Sequence, residues 1–127
     1  MSATYIIDQQ RKMVLGSARG ILTFADITGR TARLKSDPDF APEYRELFDF
    51  TGVTQIELSS VQIQALAQWS PFAPSSRRAF LVDGQLAFAL ARMSTTYHEL
   101  NGEQYVSAFR DKEEALRWLE AGEHVES

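Results

Sequence analysis

Short β-rich runs alternate with helical apolar stripes along nearly the whole chain, and few folds accommodate that alternation. Strands separated by helices need crossover connections, so the sheet they build is mostly parallel. Thr4–Asp8 and Met13–Ala18 are β-rich runs joined by polar Gln9–Lys12. That is a hairpin signal, with Tyr5 and Ile7 on one face and Ile6 on the other. The first strand is therefore the antiparallel exception. Thr23 then begins a helix, with Asp26 at capping-box spacing. Phe24, Ile27, Thr31 and Leu34 share one face, and Asp37-Pro38 stops the helix. Gly29 sits inside this pattern at a cost of about 1 kcal/mol relative to Ala. Either a neighbour packs closely against it or the helix is locally weak.

The segment Leu47–Leu66 carries the most functional information. After a loop with Phe40, Pro42 and Tyr44, it reads as a buried strand, Glu46–Phe50, with Asp49 at its end. A loop and a helix near Val61–Trp69, opened by Ser59 and Ser60, follow. In α/β proteins a ligand or partner often sits at such a strand's carboxyl end. Pro71 ends the helix, and Pro74-Ser75-Ser76 is a connector. Ala79–Val82 has the continuous apolar look of a strand covered on both faces. Asp83-Gly84 turns into a third helix with an amphipathic stripe of Leu86, Leu90, Met93 and Tyr97. Asn101-Gly102 marks a turn before strand Gln104–Phe109. Asp111 with Glu114 opens a last helix carrying Ala115, Leu116, Trp118 and Leu119, and Gly122 ends it. The order is ββαβαβαβα: an α/β domain over residues 1–121, with a five-stranded mixed sheet, four main helices and a polar tail at 122–127.

Composition removes several functions. At 127 residues the chain supports one real core, not two. A net charge of −4 argues against a general nucleic-acid binder, which needs a basic face. With no cysteine there is no disulfide framework, no thiolate nucleophile and no Cys-based zinc site. His98 and His124 are too far apart in sequence to suggest a His-rich metal site. Lys12 interrupts before any secretory apolar region forms, and no apolar run approaches the roughly 18 residues of a membrane span. A cytoplasmic location is the economical expectation.

The element order resembles that of a STAS domain, the fold of bacterial anti-sigma-factor antagonists. Asp49-Phe50-Thr51-Gly52-Val53-Thr54 resembles that family's Asp-Leu-Ser-Gly-Val-Thr stretch, and Glu57-Leu58-Ser59-Ser60 falls where antagonists carry Asp-Ser-Ser-Gly. Other segments resemble the SpoIIAA-like branch of stand-alone bacterial proteins. They include the Gly20-Ile21-Leu22-Thr23 helix start, Asp37-Pro38-Asp39-Phe40, Arg77-Arg78-Ala79-Phe80 and Ala91-Arg92-Met93. The ending from Phe109-Arg110-Asp111 through Trp118-Leu119 is similar too. In an ungapped alignment Leu58 stands where the antagonists have their phosphorylated serine, and Ser60 where they have glycine. The resemblance thus implies a protein-binding regulatory fold without the serine phosphoswitch.

Each candidate residue also has a structural explanation. Ser59 with Gln62 makes a capping box, and that role is favoured over phosphoacceptor. Asp49 and Asp83 both follow strands and could hold a Mg²⁺ or act as an acid–base pair, but turn capping is favoured. Arg77 and Arg78 could bind an anion; a solvated edge is the plainer reading. Arg92, between Leu90 and Met93, reads as a snorkelling side chain or ion pair. Phe72, between two prolines, reads as a core plug ahead of a lid. Phosphate-cradling glycine loops, serine nucleophile elbows and zinc motifs are lacking.

The leading expectation is a non-catalytic regulatory or protein-interaction module with no cofactor and no metal, whose partner is a protein, a second copy of the chain included. Its working surface combines Asp49, Thr54, Glu57, Ser59, Ser60, Asp83 and Arg92. The first rival is a carrier or sensor for a small apolar ligand, related in shape to CRAL-TRIO lipid-binding domains. The second is a metal-assisted enzyme using Asp49 and Asp83. A closed, filled core would favour the interaction module, an apolar cavity of several hundred Å³ the carrier, and two carboxylates within about 4–6 Å of each other metal or acid–base work.

Overall fold

A computed structural model of the chain describes residues 3–100, 102 and 105–121, with the side chains of 86, 87 and 90 excepted. The proposed tail at 122–127, Asn101, Gln104 and the Leu86–Leu90 part of the third helical stripe lie outside the described residues or side chains. The elements are β1 (Ala3–Asp8), β2 (Met13–Thr23), α1 (Phe24–Ser36), β3 (Arg45–Glu57), α2 (Ser60–Gln68), β4 (Arg78–Leu81), α3 (Gln85–Leu100), β5 (Val106–Phe109) and α4 (Lys112–Ala121). They form one five-stranded sheet in the order β1-β2-β3-β4-β5. β1 pairs antiparallel with β2, and the remaining pairs are parallel.

Each crossover moves the chain one strand further in the same direction. Right-handed connections of that kind put α1, α2 and α3 on one face of the sheet. Strand alternation then divides the side chains. Phe48, Phe80, Ala18 and Val106 pack together under the three helices. Leu47, Ala79, Leu81 and Met13 face the other way, against Ala115 and Leu119 of α4. Phe72 is buried with Val14 and Leu34, and its ring meets Phe40 edge-on at 5.2 Å, so it plugs the core as the sequence suggests. The C-terminal turn of α4 is held from the sheet. Arg45 Nη1 donates to Leu119 O and Arg77 Nη1 to Trp118 O, each at 3.0 Å, where the helix dipole favours cations.

Two boundaries differ from the sequence reading. Residues 20–23 close β2 rather than start a helix, and Thr23 serves as the N-cap of α1 through the expected capping box with Asp26. Likewise β3 does not end at Asp49: what reads as a loop continues as strand to Glu57. Thr51, Val53, Thr54 and Ile56 are β-branched, and Val53 and Ile56, with Gly52, Gln55 and Glu57, pair with the far end of β2 after β4 has stopped opposite Asp49. Register shifts interrupt this long ribbon, one of them at Gly20, whose φ of +72° a side chain would strain. Gly29 has no close packing partner: a Cβ there would lie 3.7 Å from Arg33 Nη1, an ordinary contact.

Candidate functional site

Strand alternation and helical periodicity together place four polar side chains between the sheet and the helices on one of its faces. Glu46, the second residue of β3, lies two residues before Phe48, and Arg78 starts β4 two before Phe80, so both point under the helices. Arg30 lies on the α1 stripe between Ile27 and Leu34, and His98 lies one and two turns after Ser94 and Ala91 on α3. All four are buried. The Glu46 carboxylate, 0% exposed, accepts from Arg30 Nη2 on one oxygen. Its other oxygen accepts from Arg78 Nη2 and Nε at 3.0 and 3.2 Å. Burial alone would push the Glu46 pKa up. The charges of Arg30 and then Arg78, with their hydrogen bonds, outweigh it and hold the carboxyl below its usual range.

Arg78 Nη1 also donates to Ser70 Oγ at 3.0 Å and lies 3.3 Å from His98 Nδ1. The guanidinium planes are packed by rings: Arg30 over Phe48 at 4.2 Å, Arg78 over Phe72 at 4.5 Å. Gly16 gives Arg30 its room, since a Cβ at that position would come within 2.7 Å of Nη2. Arg78 is thus neither a solvated edge nor a surface anion site, because its anion is the buried Glu46. Arg77, half-buried, serves α4 instead.

These charges floor a cavity of about 110 Å³ between the sheet and α1, α2 and α3. Ile56 and Leu58 line it where β3 runs out and Ile63 and Leu66 line it from α2, while Phe48, Phe50 and Phe80 rise from the sheet beside the polar groups of Arg30, Arg78 and His98. Phe48 and Phe50 are stacked at 4.2 Å, and Phe80 meets Phe50 edge-on. Leu58 lines this cavity and packs on the core beneath it.

The residues selected from sequence do not converge on that cavity. Asp49 points to the α4 side of the sheet, beside Leu15, Leu47 and Leu116, and accepts from Thr51 N and Oγ1 at 2.8 and 2.6 Å. Thr54 and Glu57 are exposed on the projecting ribbon, and Glu57 accepts from Gln55 Nε2 at 2.9 Å. Ser59 caps α2 through the capping box with Gln62, and Ser60 is the exposed first residue of that helix. Asp83 is exposed before α3, and Arg92 is exposed upon it. Sequence reasoning missed the cavity floor. The available signal was a charged residue at each of three positions whose periodicity points inward.

No family model matches the chain, and no curated protein matches it. The fold is similar to the crystal structure of an uncharacterized protein of the DUF3478 family, with a SpoIIAA-like fold, from Shewanella loihica PV-4. The TM-score is 0.63 at 23% identity, over 93% of this chain and 94% of that one. At that identity the likeness shows the fold alone, and the fold is SpoIIAA-like. No helix among the described residues is long and apolar enough to cross a membrane.

Proposed function

We propose that this protein is a small-ligand-binding module, a carrier or sensor, whose site is the cavity under α1, α2 and α3. The observation behind this reading is the cavity itself, with apolar walls from all three helices and a floor of polar groups fixed by buried charge pairs. Apolar walls with a few oriented polar groups are the ordinary composition of a small-molecule site. An apolar cavity of about 150 Å³ holds a benzene-sized guest. At about 110 Å³ this one is smaller than that and short of the several hundred Å³ expected of a carrier, so this reading requires α2 and α3 to part around a chain-like ligand.

A protein-interaction role is the second reading, supported by α2. Val61 in that helix is 72% exposed and Trp69 at its C-cap 50% exposed. Native mass spectrometry of the protein purified from its own host separates the two. The ligand reading expects the chain mass plus a small apolar adduct that is lost on denaturation. A bare chain, or a chain carrying only a protein partner, overturns it.

A further inference from the structure

Resting on the ligand reading above, we infer that the ligand is a single-chain amphiphile whose polar end is a carboxylate, received at the Arg30 end of the cavity. Arg30 is 3% exposed, and its Nη2 donates to Glu46 while its Nε has no hydrogen-bond partner among the described residues. A buried cationic donor without an acceptor is costly, so an acceptor from outside the chain is favoured there. Glu46 cannot fully serve Arg30, because the same carboxylate is shared with Arg78. The described cavity lining contains two guanidiniums, an imidazole and the hydroxyls of Thr31, Ser70 and Ser94, but no carboxylate.

The position of the guanidinium is built in advance. Gly16 leaves the space on one side, and the Phe48 ring supports the plane at 4.2 Å on another. A planar carboxylate matches a fixed guanidinium edge. The rest of the ligand is set by the apolar lining away from the guanidiniums, where Ile56 and Leu58 at the end of β3 and Ile63 of α2 accept only an apolar chain. A cationic head is repelled by the guanidiniums, and a second polar head is left without partners among the apolar residues.

A headgroup series on the intact wild-type chain tests this without risking the fold. Octanoate, 1-octanol, octylammonium and octyl sulfate are titrated below micelle formation, following the methyl signals of Ile63, Leu66 and Ala91 and the Nε–H signal of Arg30. Octanoate should bind at least tenfold more tightly than octanol or octylammonium, and it alone of these three should move the Arg30 Nε–H signal. Equal binding of octanoate and octanol, with the cavity methyls moving, overturns the carboxylate while leaving the ligand reading intact. Tighter binding of octyl sulfate replaces the carboxylate with a tetrahedral anion and overturns that assignment. If no compound moves the cavity methyls, the inference and the ligand reading both fall.

Discussion

Replacing Glu46 with Gln keeps the shape of the side chain and removes the charge that Arg30 and Arg78 share. Because Glu46 is wholly buried, no solvent reaches the two guanidiniums in its place. Removing one partner from a buried ion pair typically costs about 3–5 kcal/mol, the upper end being apt where two cations lose the same anion. A 127-residue chain has a total stability of about 6–19 kcal/mol at the usual 0.05–0.15 per residue. The variant should fold, but with a urea midpoint lower by about 2 M at an unchanged slope near 2 kcal/mol per M. Acid should narrow the gap. The folded-state pKa of Glu46 is lowered, so its contribution is fully present above the ordinary carboxylate range and is lost as pH falls through the depressed value. Wild type loses that increment and Glu46→Gln has none to lose. A difference below about 1 kcal/mol at pH 7, or one that stays constant on acidification while both proteins remain folded, would refute the reasoning.

Gly16→Ala drives a methyl into Arg30 Nη2 and forces it off Glu46. Loss of a charged hydrogen bond, partly offset by the smaller entropy of the unfolded chain, gives about 1–2 kcal/mol of destabilisation in urea melts. Ser59→Ala should cost about 1 kcal/mol through the lost cap and Ser60→Ala clearly less, since only the Ser59 hydroxyl receives the Gln62 amide. Equal melting of the two variants would contradict this. Phe72→Ala opens a space among Val14, Leu34 and Phe40 and should cost about 3–5 kcal/mol; thermal melting within a degree or two of wild type would show that Phe72 is no plug.

The element order, the hairpin and the caps at Thr23 and Ser59 were legible because each has a local cause: period, turn chemistry or a side chain three residues from its amide. The length of β3 was not. Thr51-Gly52-Val53-Thr54 reads as a loop by its glycine, and only pairing with the far end of β2 makes it strand. That partner lies some thirty residues earlier, where a local window does not reach. The site was obscured for a related reason. Arg30, Glu46, Arg78 and His98 each look like a solvated residue alone, and burial becomes tolerable only when four separate elements deliver them to one place. A charge in phase with an apolar stripe, as Arg30 is with Ile27 and Leu34, was the available clue.

The most direct test of the cavity as a binding site is to locate a bound guest by intermolecular NOEs. With methyl-labelled protein and a short apolar probe such as 1-octanol, contacts from the probe chain should reach Ile63, Leu66 and Ala91, which line the cavity. Contacts confined to Val61, on the exposed face of the same helix, or no contacts at saturating probe, would contradict the account.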